Sequence, residues 1–206
     1  MTPAVGAQDP DEADVAKVST RRTILDVARR ELSEHGFDGV SIRGVANRAG
    51  VDPRLVRHYF GTKERLLLHA VQVEGDPHQL AERLLRGSRR RLGRHTATVL
   101  LDHWSNPRTM IPYRARLSGS LTSEEVAALM RDDFVSGFFG TLAAEVSPDR
   151  HELRAALAAS QVIGLAMCRY LVEEPTLASC GQDDLVRVIG RAIQHYLTAD
   201  LGTSVG

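Results

Sequence analysis

The chain has 206 residues and a formal net charge of zero, with 43% hydrophobic, 25% charged and only 5% aromatic residues. Leu, Ala and Val dominate the apolar part and Arg and Glu are abundant, so a sizeable, mainly helical core is expected. Two cysteines exclude a disulfide framework, the polar, acidic start lacks the pattern of a secretory leader, and no apolar run approaches the roughly 20 residues of a membrane span; these features predict a cytoplasmic protein without a membrane partner.

Residues 1–16 hold two prolines, a glycine and no apolar period, which predicts a flexible arm. From Ser19 the pattern changes. Ile24, Leu25, Ala28 and Leu32 recur at helical spacing until Gly36 stops the helix. Ser41 is placed to cap a second helix with Ile42, Val45 and Ala46 on its inner face, and Gly50 is free to turn the chain left-handed after it. A third helix begins at Asp52 and Pro53, an N-cap followed by a proline at the first helical position. Thr62 caps a fourth, carrying Leu66, Leu67, Ala70 and Val71. Three short helices with a tight glycine turn between the second and third form a helix-turn-helix head; a small helical subdomain without a nucleic-acid role is the plainer alternative.

Beyond Val73, Asp76 and Pro77 open the next helix, and helical patterns then run through Leu80, Leu84 and Leu85 and from Ser88 to Trp104. Arginines 89, 90, 91 and 94 fit either a phosphate contact or a solvated helical surface. Asn106 and Pro107 restart a helix through Leu117, and Ser123 caps a long one carrying Leu129, Met130, Phe134, Phe138 and Phe139. Another runs from about Arg150 to Val172. A loop through Cys180 leads to a last amphipathic helix from about Asp183 to Leu197. No strand alternation or internal repeat is present.

The distribution of charge says more than its sum. Residues 17–65 hold eleven basic and six acidic residues, whereas residues 116–206 hold seven basic and twelve acidic ones. A basic head on an acidic body suits binding of a polyanion at one end, and the third helix supplies the chemistry for reading double-stranded DNA. A helix in the major groove meets base edges near its N-terminus and phosphates from its flanks. Arg54 and Arg57, three apart, fit one outward face with Pro53 and His58; arginine matches the O6 and N7 acceptors of guanine, and Pro53 fits against a thymine methyl. Tyr59 and Lys63 are placed for phosphates, as are Ser41 and Arg43 at the start of the second helix. For each, the alternative is an ordinary solvated side chain.

Enzymatic and metal readings find little support. There is no glycine-rich phosphate loop, no His-Glu-x-x-His pair and no zinc-like cysteine spacing, and the eight histidines are scattered singly; no catalytic residue, metal or cofactor is expected. Trp104, Met110, Tyr113, Phe134, Phe138 and Met167 are large or adaptable groups suited to an apolar pocket between helices, or simply to the core. His103, beside Trp104, has the same two readings. Cys168 reads as a small core residue and Cys180 as a loop residue.

The segment TRRTILDVARRELSEHGFDGVSIRGVANRAGVDPRLVRHYFGTKERLLLHAV resembles the DNA-binding domain of the tetracycline-repressor (TetR) family of transcriptional regulators. The likeness lies in the Ile24, Leu25, Ala28 face; Gly36 and Phe37; Ser41, Arg43 and Ala46; the turn Ala49, Gly50, Val51; and Tyr59, Phe60, Lys63, Glu64 and Leu67. The segment ALAASQVIGLAMCRYLVEEPTLAS and the final helix are similar to C-terminal domains of actinobacterial members. The resemblance implies an all-α fold of about nine helices, with a helix-turn-helix head at 17–65, an effector-binding and dimerisation domain at 66–201 and a tail at 202–206. It implies a homodimer joined through helices near 150–172 and 183–197, a palindromic operator contacted by Ser41, Arg43, Asp52, Pro53, Arg54, Arg57, His58, Tyr59 and Lys63, and release of that operator by a small, apolar or amphipathic effector. A constitutive regulator without a ligand is the alternative. The chain departs from the family where Arg54 replaces the usual glycine, Arg57 the usual tyrosine and Tyr59 a frequent histidine, so its operator sequence does not follow from that of a relative.

Overall fold

The computed structural model describes residues 10–72 and 75–202, with side chains described from Val18 onward except at positions 107 and 108. Every regular element among the described residues is helical. Two compact units divide between Val71 and Gln72.

The first unit contains α1 (Pro10–Gly39), α2 (Ile42–Ala49), α3 (Pro53–Phe60) and α4 (Lys63–Val71). Helix α1 begins at Pro10, so residues 10–16 of the expected arm are helical, while residues 1–9 lie outside the described part. Gly36 breaks α1 with φ 68° and ψ −179°, a conformation that glycine adopts without a Cβ penalty. Ile24, Ala28, Leu32, Val45, Ala46, Val56, Leu66, Leu67 and Ala70 are buried and form the core. Helix α4 packs against α1, and this compact unit runs through Val71. Arg29 adds a polar tie: its Nε donates to the Ala70 carbonyl at 2.9 Å, placing a cation on the end of α4 where unpaired carbonyls gather.

The second unit contains α5 (Pro77–Leu85), a 3₁₀ turn (Arg89–Arg91), α6 (Leu92–Ser105), α7 (Pro107–Gly119), α8 (Glu124–Leu129), a π-helical segment (Met130–Gly140), α9 (Thr141–Val146), α10 (His151–Tyr170), α11 (Pro175–Ser179) and α12 (Gln182–Thr198). The run expected as one long helix from Ser123 is thus continuous but changes winding twice, and the expected loop before Cys180 holds the short α11. Gly202 has φ 61°; positions 203–206 of the expected tail lie outside the described residues.

Helices α6 and α12 form the tightest crossing in the body. A Cβ on Gly93 would stand 2.2 Å from the Gly190 carbonyl, and one on Gly190 would stand 2.8 Å from the Arg94 Cα. Gln194 closes the same crossing, accepting from the Gly93 amide at 2.9 Å and donating to the Arg89 carbonyl at 3.1 Å. At the other end of α12, Arg154 is 1% exposed, yet its charge is matched. Its Nε donates to Asp149 at 2.7 Å and its Nη1 to the Tyr196 and Ala199 carbonyls, both at 2.9 Å, which fixes the end of α12 against the start of α10. A buried guanidinium is tolerable only with such a full set of partners.

Candidate functional site

In the head, local chemistry sets α2 and α3. The Ser41 hydroxyl accepts the Gly44 amide at 3.0 Å, and Asp52 Oδ1 accepts the Arg54 amide at 2.7 Å. Between them Gly50 takes φ 68° and ψ 31°, returning its amide to the carbonyls of Ala46 and Asn47. Pro53 occupies the first turn of α3, where a missing N–H costs no helical bond. Val56 and Phe60 are buried and Leu55 is half-buried, so Arg54, Arg57 and His58 are left on the exposed side.

Two sets of arginines in this unit contrast. Arg29 is bound to Asp26 and Ala70, and Arg48 forms an ion pair with Glu31, an acid that is 7% exposed. Arg43, Arg54 and Arg57 are exposed and engage no carboxylate among the described residues. An arginine paired inside the fold is already spent, whereas a solvated, unpaired fork retains its donors for an outside acceptor.

The other expected DNA-facing residues behave differently from one another. Asp52 and Ser41 serve as caps, although the Ser41 hydroxyl still has its hydrogen to donate. Tyr59 is half-buried, its ring centroid 5.6 Å from that of His58 in an edge-on arrangement. Lys63 turns inward: its ammonium donates to the Asp38 carbonyl at 3.2 Å and lies 5.7 Å from the Phe37 ring centroid, leaving two of its three N–H groups.

The body contains a cavity of about 340 Å³, within the range of small-molecule sites. Trp104, Tyr113, Phe134 and Phe138 line it, together with Pro77, Leu80, Arg83, Val99, Leu100, His103, Arg116, Met130 and Asp133. Met110 and Met167, grouped with these aromatics from the sequence, do not line it; Met110 is buried in the core and Met167 packs beside it. The π-helical segment contributes Met130, Asp133, Phe134 and Phe138 to one wall. At Gly137 this segment approaches α5 so closely that a Cβ would lie 3.4 Å from Pro77 and 3.3 Å from His78. His78 and Thr141 join across the same contact at 2.9 Å.

The cavity wall is unusual in its polar atoms. Among the described residues, Trp104 Nε1, Tyr113 OH, Arg116 Nε and His103 Nε2 are buried without a hydrogen-bond partner, where each unmade bond costs about 1–3 kcal/mol. Arg116 is otherwise engaged, its Nη2 donating to Asp133 at 2.7 Å and to the Leu129 carbonyl. Desolvation lowers the His103 pKa below its usual 6.5 and raises that of the Tyr113 phenol well beyond its ordinary range, with Arg116 opposing the latter weakly. Tyr113 therefore remains a protonated hydroxyl and His103 is held toward its neutral form. His103 was a possible cavity residue from its place beside Trp104; nothing in the local sequence marked Arg116 or Asp133, which meet across 17 positions.

Comparisons with known proteins agree with this architecture. Residues 24–70 match the family model described as bacterial regulatory proteins of the tetR family, and residues 91–197 match the tetracyclin repressor-like C-terminal domain. The regulator BetI of Agrobacterium fabrum is 33% identical over 111 residues, 52% of this chain and 47% of that protein, and BetI of Rhizobium meliloti is 29% identical over 114 residues, 53% and 56% respectively. The matches thus span about half the length of these curated relatives. A TetR-family regulator structure from Streptomyces coelicolor is 31% identical with a TM-score of 0.60, covering 93% of this chain and 99% of that one. A regulator structure from Saccharomonospora viridis, determined in complex with choline, shares the fold at 19% identity and a TM-score of 0.58, covering 86% of this chain and 97% of that one. With both of its units matched, the chain belongs to the TetR family of transcriptional regulators.

Proposed function

We propose that the protein is a cytoplasmic, ligand-responsive repressor that holds a palindromic operator as a homodimer and leaves it when a small molecule enters the body. The observation that carries the DNA half of this reading is the pair Arg54 and Arg57, exposed and without a carboxylate partner among the described residues, on a capped, proline-initiated helix. Two copies of α3 would enter successive major grooves about 34–36 Å apart. Arg43, His58, Tyr59, the Ser41 hydroxyl and the remaining Lys63 donors would add backbone contacts, while Asp52 acts through α3 by capping it. The helices α10 and α12 are the proposed dimer elements.

The cavity favours ligand control over a constitutive regulator, since the residues lining it carry buried donors that no described residue satisfies. Each such defect lowers stability unless something else satisfies it. Selection of bound fragments from random and genomic DNA, repeated over a range of salt, tests the reading. Enrichment of an inverted repeat whose binding weakens as salt rises is the expected result. Failure to enrich any sequence at low salt overturns it.

A further inference from the structure

We infer that the effector is an uncharged, largely apolar molecule carrying a hydrogen-bond-accepting oxygen such as a ketone or ester carbonyl, and that Trp104, Tyr113 and Arg116 recognise that oxygen. The inference rests on the reading of the cavity as an effector site and specifies its chemistry. Trp104 Nε1 and Arg116 Nε are donors only, and the Tyr113 hydroxyl, kept protonated by burial, is free to donate as well. Three unsatisfied donors call for an acceptor.

Charge decides between kinds of acceptor. The Arg116 guanidinium is neutralised by Asp133 at 2.7 Å, and Arg83, the other cation lining the cavity, is exposed to solvent; an anion entering beside Arg116 would meet the Asp133 carboxylate as well, whereas a carbonyl takes the free Nε–H without that repulsion. A cationic ligand fits less well still. A cation has no lone pair to take the Trp104, Tyr113 and Arg116 hydrogens and would meet the Arg116 guanidinium beside them. Of the two acids that line the cavity, Asp133 is held by Arg116 and Asp76 caps α5. The four unpartnered atoms are covered by neighbouring side chains in this structure, so the ligand reaches its donors by parting the aromatic cluster. That movement would load the π-helical segment, which carries both Phe134 and Asp133.

Trp104 is the only tryptophan in the chain, so its fluorescence reports on the site directly. Titration of the full-length protein with butyrophenone, butylbenzene, 4-phenylbutanoate and benzyltrimethylammonium compares a ketone, its hydrocarbon, an anion and a cation of similar size, with N-acetyltryptophanamide correcting for collisional quenching. Butyrophenone is expected to bind about tenfold or more tightly than butylbenzene. Calorimetry with Tyr113→Phe, which keeps the ring, is expected to weaken the ketone about fivefold and leave the hydrocarbon unchanged; Trp104→Phe provides an independent second variant with the same expected pattern. Equal binding of ketone and hydrocarbon, or tightest binding of the anion or the cation, overturns the chemical class while leaving an effector cavity in place. If none of the four binds, the effector-cavity reading falls with it, and the DNA-binding reading still stands on its own test.

Discussion

Two glycines show how differently the two units are built. Gly50 in the head sits at φ 68° with nothing within 4 Å of the place a Cβ would take; the backbone angle requires glycine there, and space does not. Gly93 in the body has an ordinary helical conformation but lies against the backbone of α12, with 2.2 Å between a built Cβ and the Gly190 carbonyl. The turn between α2 and α3 is set by short-range devices, namely caps, a glycine and a proline, each acting over three or four residues. The body depends on elements about a hundred positions apart meeting without a side chain between them. Errors at the α2–α3 turn therefore remain local, whereas errors at the α6 and α12 crossing force rigid helices apart.

The largest expected effect follows from that contrast. Gly93→Ala should destabilise the body by about 3 kcal/mol or more, the upper end of overpacking costs, because the obstructing atoms are backbone and cannot rotate away. Denaturant unfolding of the variant against the parent checks this, and a loss under about 1 kcal/mol would mean that α6 and α12 are not as close as described. Arg57→Ala tests function rather than stability. It should weaken operator binding by about 1–3 kcal/mol, with Tm and the oligomeric state unchanged. Normal affinity for the selected operator would mean that α3 presents another face to DNA.

At Gly50 the expected cost is smaller, about 1 kcal/mol for alanine in a left-handed conformation. Asparagine tolerates that region better, so Gly50→Asn should recover part of the loss, and thermal unfolding of the two variants distinguishes them. Were Gly50→Asn as damaging as Gly50→Ala, the angle would not be the reason for glycine at this turn.

This same difference governs what could be read from the sequence. Ser41, Gly50, Asp52 and Pro53 act on their immediate neighbours, so their residue types and spacing sufficed to predict α2, the turn and α3. The aromatic cavity residues Trp104, Tyr113, Phe134 and Phe138 stood out by size, but size alone did not separate them from Met110 and Met167, which the fold sends elsewhere. Arg116 and Asp133 lie 17 positions apart, and neither carries a mark of its partner in the local sequence. The π-helical winding of Met130–Gly140 was equally hidden, since a short apolar stripe fits either helix. Gly93 and Gly190 weaken a helix by propensity, and only the crossing partner explains why each is there.

A final, smaller effect distinguishes the units by pH. His103 has a folded pKa below its usual 6.5 because the cavity wall desolvates the imidazolium. The unfolded chain therefore binds a proton that the folded body resists, and stability falls as pH drops through about 6.5, levelling only below the folded value. In the head the shifted group is Glu64, whose carboxylate is favoured chiefly by its own backbone amide and by the Thr62 hydroxyl, lowering its pKa from 4.5. Its contribution is present above about 4.5 and disappears as pH falls through the lower folded value. Mild acid should accordingly weaken the body before it weakens the head. Thermal unfolding between pH 7.5 and 5.5, followed by Trp104 fluorescence for the body, should show a decline that His103→Gln flattens; an equally steep decline in that variant would locate the acid-sensitive group elsewhere and remove this distinction between the two units.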